Sequence, residues 1–405
     1  MNIPQILDGA TGTMLQQAGM PTGVSPELWV LEHPEVAEGF QRRYVQAGSQ
    51  VLYAPTFGAN RIKLARWGAA DRVEEINRTL VGISRRAAEG RALVAGDLSP
   101  TGCFLVPAGD KTFEELMEVY TEQAGALERA GVDLYVVETV MSLPDARAAV
   151  LAIRSVSDRP IYVTFTVDER GCTLTGTDAL AALLTMQAMG VSAFGLNCSS
   201  GPETMLRHLE RLAPYARVPL IAKPNAGLPR VEHEKTVYDC PPERFAALAG
   251  EMARCGVRIF GGCCGTTPEH IAALSAAVQR LDGEWSLPAK AARQAAVTER
   301  EAVFFEEIDG EDCISLSVSD DLEDDLMDAS EEDEGFVCLK LSNREEAEEF
   351  VRCQYALSKP LILETDSVEA LETALRGYQG LALYRGGVSG EALERLKGIY
   401  GVQAF

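Results

Sequence analysis

The sequence predicts an α/β chain: a (β/α)8 TIM barrel followed by a smaller α/β unit resembling part of a βα barrel. Three observations carry this. Short, continuously apolar runs alternate with helix-length segments as far as about residue 282, and eight such runs can be counted. Polar residues or cysteines stand at the C-terminal end of the runs. The 405-residue length exceeds one ordinary domain, yet it accommodates a barrel of ~250 residues with a second unit behind it.

The runs lie at 5–8, 51–56, 92–97, 134–139, 161–166, 194–198, 219–225 and 258–262. Continuous rather than alternating apolarity suits parallel strands covered on both faces. The stretches 34–48, 113–131, 144–155, 203–215, 242–256 and 268–281 read as amphipathic helices. Even spacing, and no GxGxxG loop after the first run, favour a barrel over a doubly wound open sheet. The last run opens into GGCCGTTPEH, where the glycines permit backbone angles closed to other residues. There Thr267 before Pro268 resembles an N-cap with proline at the first helical position.

Composition narrows the function. Hydrophobic residues make up 46% and charged residues 24%, ordinary for a globular protein. A formal charge of −23 argues against nucleic-acid and anionic-membrane partners, which select clustered Lys and Arg. No stretch resembles a membrane span, and the start lacks a basic region followed by an apolar run, so a cytoplasmic location is expected. In that compartment ten cysteines suggest thiol or metal chemistry rather than a disulfide framework.

Residues at the C-terminal strand ends of a barrel ring one mouth, where barrel active sites lie. Here they are Asp8, Thr56, Asp97, Glu138, Thr166, Asn197 with Cys198, Asn225, and Cys263 with Cys264. Strands six and eight flank strand seven, which brings Cys198 toward the Cys263–Cys264 pair with Asn225 between them. Adjacent cysteines converge on one centre only where the backbone leaves strand geometry, and Gly261, Gly262 and Gly265 allow that. Three thiolates suit a tetrahedral zinc ion with an open fourth position, and soft sulfur selects against magnesium and calcium. His33, His208, His233 and His270 fall in helices or loops, so no imidazole ligand is expected. Other readings stay open: small buried cysteines, or a protein without methyl chemistry in which the pair forms a vicinal disulfide or a closed structural-zinc site.

The segments DGATGTM at 8–14, PTFGANR at 55–61, VET at 137–139, GLNC at 195–198, PNAGLP at 224–229 and GGCCG at 261–265 form an ordered set. Together they resemble the homocysteine S-methyltransferase family over residues 1–282. Within it they are most similar to the homocysteine-binding module of cobalamin-dependent methionine synthases. The resemblance implies zinc on Cys198, Cys263 and Cys264, with homocysteine sulfur as the added ligand. It further implies that Asp8, the Gly9–Ala10–Thr11 turn and Glu138 hold the amino acid. From the strand order, Asn225 or a water it holds is expected at zinc's fourth position until substrate sulfur displaces it. The methyl donor is expected to be methylcobalamin on a separate corrinoid protein, with betaine or S-methylmethionine as the alternative. An onium donor calls for an aromatic cage, for which Tyr53 and Phe57 are the candidates.

Residues 283–301 read as a linker with a short helix, and 302–405 as a small α/β unit with strands at 313–318, 336–341, 360–364 and 380–384. Helices are expected at 343–357, 368–376 and 389–399. Half a barrel exposes sheet edges, so docking on the first barrel, a partner, or a second copy in a homo-oligomer is expected. The run 320–334, with ten acids and no base, reads as a solvated loop.

Overall fold

A computed structural model of the chain describes residues 5–232, 235–281, 289–291, 293–308 and 312–404. All eight apolar runs contain strands. They are β1 (Gln5–Ile6), β2 (Val51–Tyr53), β3 (Leu93–Leu98), β4 (Leu134–Val140), β5 (Ile161–Phe165), β6 (Ala193–Asn197) and β7 (Leu220–Lys223). A short hairpin, β8 (Arg230–Glu232) with β9 (Lys235–Val237), precedes the eighth, β10 (Val257–Phe260). These eight pair in parallel in the order β1-β10-β7-β6-β5-β4-β3-β2. The sheet is curled: Leu7, just beyond β1, bridges to Val51, and the Gln50 N–H donates to the Ile6 carbonyl at 2.7 Å.

Leu7, Val51, Tyr53, Ala95, Val136 and Ile221 belong to one buried apolar cluster inside the curl. The opposite faces of the strands pack on helices. Side chains repeat every second residue along a strand, so the next inward positions on β3, β4 and β7 are Asp97, Glu138 and Lys223. The floor of the mouth is therefore ionic directly above an apolar plug.

The helices stop and start as local chemistry dictates. Phe113–Ala130 begins with a capping box, in which Glu115 N–H donates to Thr112 Oγ1 and Thr112 N–H to the Glu115 carboxylate. It ends at Gly131, whose φ of 77° a side chain would resist. The helix Pro268–Gln279 starts at Thr267 as expected, with proline at its first position. Its His270 accepts the Thr267 N–H at Nδ1, and its Nε2 lies 2.9 Å from the Cys240 carbonyl.

A second parallel sheet contains β13 (Cys313–Ser317), β14 (Phe336–Lys340), β15 (Leu361–Glu364), β16 (Leu383–Arg385) and β17 (Gln403–Ala404), in that order. An antiparallel hairpin, β11 (Gln294–Val297) with β12 (Ala302–Phe305), packs apolar residues against it. Two expectations change here. Part of the supposed linker, 283–288 with 292, lies outside the described residues, and 294–297 is a strand because Ala295, Ala296 and Val297 are buried. The acidic run is not a plain loop: Leu322–Glu331 is helical, with Leu322, Leu326 and Ala329 buried at helical spacing and most of its acids outward.

The two sheets meet through Arg147 on the helix Leu143–Val156. Its fully buried guanidinium donates to the Leu375 carbonyl at 2.8 Å and to the Gly380 carbonyl at 3.2 Å. Beside it Arg376 and Glu114 make a two-pronged ion pair at 2.6 and 2.7 Å.

Candidate functional site

Beyond Asn197 and Phe260 the chain turns sharply, and the turns deliver the cysteines. Cys198 and Ser199 adopt left-handed φ values of 62° and 57°, a conformation that costs an ordinary residue about 1 kcal/mol or more. Cross-strand bonds hold the turn: Cys198 N–H donates to Lys223 O, Asn225 N–H to Ser200 O, and Cys263 N–H to Pro224 O. Gly265 takes φ 80°, and a Cβ there would lie 2.2 Å from the Tyr238 ring. These are the departures from strand geometry that two convergent neighbouring thiols require.

The sulfurs of Cys198, Cys263 and Cys264 all lie within 4.8 Å of one another, and Cys198 and Cys264 are 3.9 Å apart. All three residues are half-buried. Hydrogen bonds from the Cys263 and Cys264 thiols, with help from the Ser199 N–H and Asn225, hold Cys198 well below the usual thiol range. The same hydrogen bonds to Cys198 push Cys263 and Cys264 up. Three sulfurs gathered this closely form a site whose thiol protons a soft dication can replace. Asn225 is buried beside Cys198, and its Oδ1 has no hydrogen-bond partner among the described residues. A neutral oxygen without a donor next to three thiols suits a tetrahedral ion better than a disulfide.

Around the cysteines, Asn197 clamps Thr139, accepting its N–H at 2.9 Å and donating to its hydroxyl at 2.8 Å. Thr139 itself has φ 59°. Below lies the ionic floor. Lys223 Nζ sits 3.0 Å from Glu138 Oε2, and Asp8 Oδ2 accepts the Tyr53 N–H at 2.8 Å. Burial, only partly offset by Lys223, raises the Asp8 carboxyl to about 7. Sequence reasoning had placed Asp8 and Glu138 here but not Lys223; the one available signal was a lysine closing an apolar run. Gly9 is confined, since a Cβ would lie 2.7 Å from the Tyr44 hydroxyl. Ala10 N–H is already engaged with Thr266 Oγ1 at 3.1 Å, while Thr11, the first residue of the helix Thr11–Gln17, is half-exposed. A cavity of about 550 Å³ opens past the ends of β6 and β7, lined in part by Ser199, Ser200, Gly227, Leu228 and Asp239, with none of the three clustered cysteines in its lining. Of the histidines, His33, His208 and His270 contribute to no three-residue ligand cluster among the described residues, and His233 lies outside them.

A curled parallel α/β sheet with three cysteine sulfurs gathered at its strand ends defines a class, and residues 5–278 match the model of the homocysteine S-methyltransferase family. The chain belongs to that family. It is 36% identical over 293 residues to a methionine synthase of Mycobacterium leprae, covering 68% of this chain and 24% of the relative. To a methionine synthase of Mycobacterium tuberculosis it is 35% identical over 292 residues, with the same coverage. The chain thus spans about a quarter of the length of these curated relatives. Among solved structures it is similar to the metallated form of the homocysteine methyltransferase MmuM from Escherichia coli. The TM-score is 0.59 at 25% identity, over 68% of this chain and 96% of that one.

Proposed function

We propose that this chain methylates the sulfur of homocysteine to give methionine, with zinc held by Cys198, Cys263 and Cys264 and the methyl delivered by a methyl-corrinoid on a separate protein. The sulfur cluster at the mouth, set over an acid-rich floor, carries the reading. Bound zinc would lower the pKa of the substrate thiol, which is a poor nucleophile while protonated. The chain's own groups position the acceptor. Asp8 and Glu138 take its ammonium, and the Gly9–Ala10–Thr11 turn faces its carboxylate, with Ala10 shaping the turn because its N–H is spent on Thr266. Asn225 Oδ1, or a water it holds, would be the fourth group to hold the metal, to be replaced by the substrate sulfur. As the S–C bond forms, the thiol proton is released and the methyl–donor bond breaks with its electron pair left on the donor.

The aromatic residues favour the corrinoid over a small onium donor. Tyr53 is buried beneath Lys223, whose Nζ lies 3.6 Å from its ring centroid, and Lys63 covers Phe57 at 4.7 Å. Both candidate cage faces are therefore occupied by cations. Betaine or S-methylmethionine remains the second reading, since the 550 Å³ cavity has room for either.

Residues 1–282 are taken as the methyl-acceptor module, a complete (β/α)8 barrel, and 302–405 as an accessory α/β domain docked through Arg147. Among the described residues the outer strands β13 and β17 each pair on one side only, which suits a partner or a second copy. No helix among the described residues is long and apolar enough to cross a membrane, and a cytoplasmic location fits the reduced cysteines. The test is a donor screen with zinc-loaded protein and homocysteine. Methionine formed from a methyl-corrinoid but not from betaine or S-methylmethionine supports the reading, and no methionine from any of the three rejects it.

A further inference from the structure

The ionic floor holds one carboxylate more than the substrate contacts above employ. Asp97 sits on the inward face of β3, two residues beyond buried Ala95. Its backbone is fixed, because its N–H donates to Thr56 Oγ1 at 3.1 Å and its carbonyl accepts from that hydroxyl at 2.8 Å. The residue is 4% exposed, and its Oδ1 is buried without a hydrogen-bond partner among the described residues. Asp8 Oδ1 is in the same condition.

The charges facing Asp97 are Glu138, Lys223, Asp8 and Lys63. Lys63 is engaged elsewhere: it donates to Ser99 Oγ at 2.7 Å, caps the Phe57 ring, and has Glu27 as its chief charged neighbour. That leaves Lys223 to serve three carboxylates. It takes up Oε2 of Glu138, and burial together with the Glu138 charge drives the Asp97 carboxyl well above its ordinary range. Unpaired buried carboxylates are costly, so the floor is short of a cation.

We propose that Asp97 is a third carboxylate ligand of the substrate ammonium and makes the site selective for thiols carrying a free α-amino group. This deepens the homocysteine reading and rests on it. An ammonium has three N–H donors, and Asp8, Asp97 and Glu138 offer one acceptor each. With it bound, two cations serve the three acids. Lys223 and Asp97 act as a matched set, since the lysine occupies part of Glu138 and the aspartate restores the acceptor that this removes.

The experiment is titration calorimetry of the complete zinc-loaded chain with L-homocysteine and with 4-mercaptobutyrate, which is homocysteine without its amino group. Asp97→Asn is expected to weaken homocysteine roughly 10- to 100-fold, leaving 4-mercaptobutyrate affinity and zinc content unchanged. Equal losses for both thiols, or unchanged homocysteine affinity, overturn the proposal. A second measurement needs only the wild type: N-methyl- and N,N-dimethylhomocysteine should bind in steps of decreasing affinity as N–H donors disappear, and equal affinity across the series overturns it. Wild-type protein that binds neither homocysteine nor 4-mercaptobutyrate rejects the homocysteine reading itself. Homocysteine binding that survives Asp97→Asn rejects the role of Asp97 alone.

Discussion

Lys223 and Glu138, 85 positions apart, form a largely buried ion pair at 3.0 Å across the inside of the curled sheet. Burial alone would push Lys223 down, but the charges of Glu138, Tyr53 and Asp8 outweigh it and hold the ammonium well above its usual range. The contact links β7 with β4, which are separated in the sheet by β6 and β5. Glu138 therefore has two roles to test, one in the fold and one toward substrate.

Glu138→Gln keeps the size but leaves Lys223 without its nearest counter-charge. Breaking a buried pair costs about 3–5 kcal/mol, so denaturant unfolding should show a loss near the lower end, because Asp8 and Asp97 remain. Homocysteine binding should weaken by ~1.5–3 kcal/mol with zinc content unchanged. Unaltered affinity would confine Glu138 to the fold.

Cys198→Ser, Cys263→Ser and Cys264→Ser should each abolish the one zinc per chain measured by metal analysis of purified protein. Three variants that all retain full occupancy would remove the site.

Asp8 makes a prediction with a definite sign. Its folded pKa of about 7 lies above the unfolded value near 3.8, so the fold binds this proton more tightly than the unfolded chain does. The associated stability is fully present below the unfolded pKa and is lost as pH rises through 7, by up to about 4 kcal/mol. Asp8→Asn should flatten that pH dependence relative to wild type in substrate-free protein. Parallel curves for the two proteins between pH 4 and 8 would contradict it.

Asn225→Ala should retain zinc and change its fourth ligand. Zinc-edge absorption of substrate-free wild type should fit three sulfurs and one oxygen, and homocysteine should convert it to four sulfurs. A fourth sulfur already present without substrate would reject the exchange.

Arg147→Ala removes both donors to the Leu375 and Gly380 carbonyls and opens a cavity between the sheets. A cost of about 3 kcal/mol is expected, read as a lower melting temperature and faster proteolytic release of residues 302–405. Zinc binding should persist. Proteolysis at the wild-type rate would show that Arg147 does not hold the units together.

The parts legible in the sequence are those written locally. Continuous apolar runs marked the parallel strands, and cysteines at the ends of two of them marked the cluster, because a strand's end is fixed by its own residues. Thr267 and Pro268 announced a helix in the same way. What escaped notice depends on partners far along the chain. Arg147 looks like an ordinary surface residue of an amphipathic helix until the Leu375 and Gly380 carbonyls bury it. Lys223 reads as the polar end of a strand, and only the closing of the sheet sets it against Glu138. The 294–305 hairpin was missed because its short alanine-rich strand carries little β preference of its own. The acidic run hid a helix because Leu322, Leu326 and Ala329 are sparse among so many charges.

The bridge from Leu7 to Val51, with β1 lying against β10, sets an order of events as well as a shape. Asp8 is made early, yet its neighbour across the seam carries Cys263 and Cys264 and leaves the ribosome last among the eight strands. Contacts spanning more than 250 positions close slowly, because the loop entropy must be met before they form. Until β10 docks, the nascent chain can offer Cys198 but not a three-thiol cluster. Any metal loading at this cluster would thereby wait for the eighth strand, which would protect the half-made chain from capturing an ion it cannot yet hold in the right place.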